Sequence, residues 1–91
     1  MQANKDKNLQ LSKKLGEIIK KLRQERTALS ANKLADAYDI GRGSLSKIEN
    51  GKVECKFVTL WKLAEALNMK VSELTKILED ELGSDFKLMD E

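Results

Sequence analysis

A chain of 91 residues suits one domain with one modest core, and a single cysteine with no histidine excludes an internal disulfide and a Cys/His zinc site. Proline is absent, aromatics make up only 4%, and Leu, Lys and Glu abound, a composition that predicts an all-α fold. Formal net charge is only +2, but residues 1–56 carry 13 Lys/Arg against 7 Asp/Glu, net +6, and residues 57–91 carry 4 against 8, net −4; such asymmetry is a common footprint of polyanion binding, with solvated helix faces as the plainer alternative.

Residues 1–8 are polar and without periodicity, and are expected to form a flexible arm. They lack the apolar stretch of a signal peptide, and nothing further on approaches the roughly 20 apolar residues that span a bilayer, so a soluble, cytoplasmic protein without a membrane partner is expected. Leu11, Leu15, Ile18, Ile19 and Leu22 form an amphipathic stripe that predicts a first helix at about 9–26. Ser30 can cap a second helix at about 31–38, whose apolar positions are Leu34, Ala35 and Tyr38. Asp39 falls where the chain reverses and tolerates a left-handed backbone better than most residues, and Ile40 anchors that turn.

A third helix is predicted at about 42–50, with Leu45 and Ile48 inward and Gly51 as its left-handed stop. Its start is odd, because Arg42 stands between Gly41 and Gly43. Placed inside the first turn, Gly43 costs roughly 1 kcal/mol relative to Ala. Gly43→Ala is therefore expected to stabilise the protein, and the glycine to serve close approach of bare backbone to a ligand. Phe57, Leu60, Leu63, Ala64 and Leu67 predict a fourth helix at about 57–67, after which Met69 and Val71 dock the connection. Leu74, Ile77, Leu78 and Leu82 predict a fifth that stops at Gly83. A domain at 9–82 and an acidic tail at 83–91 complete the expected layout.

The second and third helices have the spacing of a helix-turn-helix, at about 31–50, in which the second helix enters the DNA major groove. "LSANKLADAYDIGRGSLSKIENGK" resembles the corresponding unit of the Cro and lambda-type repressors, and "TLWKLAEALNMKVSEL" resembles their fourth helix and the start of their fifth. Leu34-Ala35, Ser44, Leu45, Ile48, Glu49-Asn50-Gly51 and Leu63-Ala64 fall at the family's separations. The resemblance implies a compact five-helix domain that binds double-stranded DNA sequence-specifically, most often as a homodimer, as a transcriptional regulator and typically a repressor.

Carried over residue by residue, it implies base contacts from Arg42, Gly43, Ser44, Ser46 and Lys47. Arg42 suits a bidentate pair with guanine, worth about 1–3 kcal/mol of discrimination; its plainer role is an ion pair with Asp39 or Glu49, and that of Lys47 is a solvated face. The resemblance implies phosphate contacts from Asn32, Asn50, Lys52 and Lys56, assisted by backbone N–H groups. Asn50-Gly51 is also explained by helix termination alone. It further implies a buried ion pair of Arg23 with Glu49, which would otherwise repel phosphates. Several positions depart from the pattern. Ala31 stands where a glutamine often reaches DNA, Thr27-Ala28 replaces a single glycine, Asp39 a turn glycine, Cys55 a proline and Lys70 a capping serine.

No catalytic site or cofactor is expected, since a histidine, a paired nucleophile and a G-x-x-x-x-G-K-[ST] loop are all lacking. Cys55 is expected to be a small loop residue rather than a redox switch. Trp61, on the edge of the fourth helix's apolar stripe, is assigned by default to the core, with a dimer contact as the alternative. Leu78, Leu82 and Phe86, together with Leu88 and Met89, exceed what one small core needs and are the other candidates for self-association. The alternative function is a protein-interaction module of the same fold, an antitoxin or co-regulator acting through an unknown protein partner.

Overall fold

The computed structural model describes residues 2, 3 and 5–90, and contains five helices among them: α1 (Lys5–Arg26), α2 (Ala31–Ala37), α3 (Ser44–Glu49), α4 (Phe57–Ala66) and α5 (Val71–Leu82). Two two-residue strands, β1 (Gln2–Ala3) and β2 (Met89–Asp90), pair antiparallel. The expected eight-residue arm is thus shorter. Lys5–Asn8 already continue the helix, and Gln2 and Ala3 meet the far end of the chain; Met1 and Asn4 lie outside the described residues. The periodicity missed that first turn because it contains no apolar residue.

The α1 stripe explains the layering. Ile19 joins Leu34, Ala35, Ile40, Leu45, Ile48 and Leu63 in one buried cluster, while Ile18 and Leu22, one step round the helix, join Ala64, Leu67, Met69 and Leu74 in a second. One long helix therefore supports α2–α3 on one side and the α4–α5 pair on the other. The helix ends follow a single device. A residue with positive φ ends α2 at Asp39 (φ 55), α3 at Gly51 (φ 70) and α4 at Asn68 (φ 57), and the next N–H reaches back to the last turn. Ile40 donates to Ala35 O at 2.8 Å, Lys52 to Lys47 O at 2.9 Å and Met69 to Ala64 O at 2.8 Å. At the start of α5, Lys70 supplies only half of a capping box. Its backbone N–H donates to Glu73 Oε1 at 2.9 Å, but an ammonium has no lone pair with which to return the bond.

Candidate nucleic-acid interface

The turn between α2 and α3 is held from outside. Lys62 of α4 donates from Nζ to the Asp39 carbonyl oxygen at 2.7 Å and stands 3.7 Å from its carboxylate. Ile40 is buried beneath, and the chain then runs through Gly41 and Arg42 to Gly43. The third helix is shorter than the sequence pattern suggested. Gly43 is its N-cap rather than a first-turn residue, at φ 78, and an added Cβ would meet nothing within 4 Å. The glycine answers a left-handed backbone, not crowding by the rest of the chain, so the expected gain from Gly43→Ala is reversed. Arg42 accordingly sits in the turn, two residues before the helix begins.

Arg42 is exposed, and its nearest acid is Asp36, at 3.9 Å between Nε and Oδ1 with both groups in solvent. Neither acid named from the sequence as its partner is available, because Asp39 faces Lys62 and Glu49 is taken by Arg23. A long, solvent-screened contact of this kind contributes little and leaves the guanidinium free to engage another ligand. Ser46 and Lys47 project from α3 as exposed side chains, while Gly43 and Ser44 are half-buried at its start. Asn50, Lys52 and Lys56 are exposed in the segment that follows, and Asn32 is exposed near the start of α2. The N–H groups of Asn50, Gly51 and Lys52 donate to Ser46, Ile48 and Lys47 carbonyls. These three are spent on ending the helix, which leaves the N–H groups of residues 53–56 for the expected backbone assistance.

Arg23 and Glu49 make the closest polar contact between α1 and α3. Arg23 donates from Nε to Glu49 Oε2 at 2.7 Å and from Nη2 to Oε1 at 2.9 Å, while Nη1 donates to Leu29 O at 3.0 Å in the loop before α2. The side chains are 12% and 5% exposed. The hydrogen bond to Glu49 pushes the Arg23 pKa further up, burial acts against it, and the attraction of the carboxylate adds to the rise. One guanidinium thus ties together α1, the α1–α2 loop and α3, and cancels an acid at the negative end of the α3 dipole.

Two supporting residues escaped the sequence pattern. At Gly16 an added Cβ would overlap the Ile48 carbonyl oxygen and lie 2.6 Å from that of Glu49, so this glycine lets α1 touch the end of α3. A lone glycine inside a helical stripe was the available signal. Lys62 had none, since its partner is a backbone carbonyl of a distant turn.

Trp61 does not join the core, contrary to its default assignment. It is 52% exposed, its Nε1 donates to Glu65 Oε2 at 3.1 Å, and it packs edge-on against Phe57 with ring centroids 6.1 Å apart. Leu78, Leu82 and Phe86 are half-buried along an open groove of about 860 Å³ that Leu11 and Leu88 also line. Cys55 is half-buried next to Lys56, and burial pushes its thiol up to about 11.

Residues 19–74 match the helix-turn-helix family model. The chain is 40% identical over 68 residues to the control protein C.MunI of a Mycoplasma species, covering 75% of this chain and 92% of that protein. The crystal structure of the restriction-modification controller protein C.AhdI from Aeromonas hydrophila matches with a TM-score of 0.64 at 31% identity, over 71% of this chain and 96% of that one. The clp gene regulator ClgR from C. glutamicum shares the fold, with a TM-score of 0.69 at 23% identity over 80% and 92% of the two chains. No helix among the described residues is long and apolar enough to cross a membrane. With α2, the braced turn and α3 in place and the match spanning most of the domain, the chain belongs to the Cro/C1-type helix-turn-helix family of DNA-binding regulators.

Proposed function

We propose that this protein represses transcription by occupying a palindromic DNA operator as a homodimer, with α3 of each protomer in the major groove and half-sites about one helical turn, roughly 34–36 Å, apart. The observation that carries this reading is the state of the side chains on and around α3. Arg42, Ser46 and Lys47 are exposed, with Arg42 held only by the long, solvent-screened contact to Asp36, whereas the one acid on α3 is sealed by Arg23. A helix so fixed from behind and so free in front suits reading of base edges, with Arg42 as the residue that distinguishes guanine. Asn32, Asn50, Lys52 and Lys56 would hold phosphates. Lys56 stands at the positive end of α4, where a cation is unfavourable unless an anion is near.

The likeness to a control protein and to a restriction-modification controller supports control of restriction-modification genes as the regulated class. The exposed Phe57, Val58 and Trp61 supply a face for the second protomer. Selection of bound sequences from a random duplex pool tests the proposal. The expected result is an enriched inverted repeat whose affinity falls steeply with salt. Flat recovery with weak, sequence-blind retention would leave the protein-interaction module as the better description.

A further inference from the structure

Several lysines of α1 have no part in the helix-turn-helix, and the close crossing at Gly16 fixes where two of them stand. Because α1 touches the Ile48 and Glu49 carbonyl groups there, residues one turn to either side on the same face are held beside the segment that follows α3. Lys13, three residues before, lies against Gly51, whose added Cβ would be 2.6 Å from Lys13 Cγ and 2.9 Å from its Cα. Lys20 lies four residues after Gly16. Lys13, Glu17, Lys20, Glu49 and Asn50 together line one open pocket of about 360 Å³.

The charges around that pocket are unequally committed. Glu49 is cancelled by Arg23, and Glu17 lies 3.4 Å from Lys14, which also reaches Glu81 at 3.8 Å. Lys62 and Lys76 are likewise paired, with Asp39 and Asp80. Lys13 and Lys20 are exposed and form no ion pair among the described residues. Two uncommitted ammonium groups and the donor amide of Asn50 around a shallow, open concavity suit an anion that passes along the surface. A compact ligand would find no enclosure there.

We propose that Lys13 and Lys20 bind the phosphate backbone of the same DNA duplex, outside the base pairs that face α3, so that α1 extends the interface onto flanking DNA. This rests on the DNA-binding reading above. Since the pocket adjoins Asn50, a strand held by Asn50 and Lys52 continues past the end of α3 and meets α1 without a second duplex. The contact adds grip and register but no base preference. If the lysines served only to offset the negative end of the α3 dipole, they would support stability without touching the salt response.

The test measures the affinity of the full chain for its selected operator across a salt series, comparing wild type with Lys13→Gln, Lys20→Gln, the double variant and Lys76→Gln as control. Each lysine that holds a phosphate contributes about 0.9 to the slope of log K against log salt. Both protomers of the bound dimer carry the substitutions, so the double variant loses four such contacts and is expected to be shallower by about 3.6, with its ranking of mutated operators unchanged and Lys76→Gln like wild type. Neutral methylphosphonates placed in the flanking backbone should weaken wild type and leave the double variant unaffected. An unchanged slope in the double variant, with wild type binding normally, overturns the α1 contact alone. A wild type with no operator preference overturns the DNA-binding reading itself.

Discussion

Arg23 and Glu49 illustrate how one pair of residues can matter more through its breakage than through its presence. The pair is nearly dry, so its attraction is offset by the cost of taking both charges out of water, but removal of one partner leaves the other charge uncompensated. Glu49→Gln should therefore destabilise the fold by roughly 3–5 kcal/mol in urea unfolding. Replacing both residues with apolar ones of similar volume should recover much of that loss. Simple addition of the two single losses would mean that the residues act independently. Cys55 offers a second check at this scale. Burial lifts its pKa to about 11, so the reactive thiolate is scarcer in the folded protein than at the ordinary value of 9.0. Alkylation near pH 7.5 should run about 100-fold slower in the native protein than in the urea-unfolded chain, and should accelerate as pH rises toward 11. Native and unfolded rates that coincide would place the thiol in solvent.

Elements were legible in the sequence where apolar residues recur, and their ends were legible only where chemistry marks them. Ile18, Ile19, Leu22, Leu63, Ala64 and Leu74 revealed the inner faces of α1, α4 and α5, and the motif around Glu49-Asn50-Gly51 located α3 together with the Arg23 that is paired to it. The first turn of α1 was hidden because it is wholly polar, and Trp61 was misassigned because a place on the edge of a stripe does not say whether a neighbour covers it. The start of α3 was the other miss. A glycine within a helix and a glycine that caps one look alike in sequence, but substitution affects them in opposite ways. At φ 78 and with open space around it, Gly43 should lose about 1–2 kcal/mol on replacement by Ala, purely from the backbone. Gly43→Asn should lose less, because Asn tolerates the left-handed region better. Thermal unfolding of the three proteins decides this, and an Ala variant more stable than wild type would put Gly43 back inside the helix.

At the scale of the whole molecule, two apolar surfaces compete for the proposed role of dimer contact, and they differ in how far the chain itself covers them. Leu82 and Phe86 are already half-covered by Leu11, Leu88 and their own neighbours, whereas Phe57 and Val58 on α4 are 67% and 66% exposed beside Trp61. A contiguous exposed aromatic and aliphatic face is costly on a monomer and useful on a protomer. Trp61 is also the chain's only tryptophan, so burial of this face can be read directly. Its emission should shift to the blue as protein concentration rises, in step with the change in sedimentation. Trp61→Glu or Val58→Glu should give a folded monomer, because neither side chain supports the core. Two half-sites bound through one linked pair of readers gain on the order of 10²–10⁴ in affinity over one. The monomeric variants should lose about that factor on the full palindrome while binding an isolated half-site as wild type does. Phe86→Glu should remain a dimer with nearly unchanged operator affinity. If Phe86→Glu instead dissociates the protein and Trp61→Glu does not, the second protomer sits in the groove between α5 and the C-terminal segment, and the aromatic face of α4 awaits another occupant.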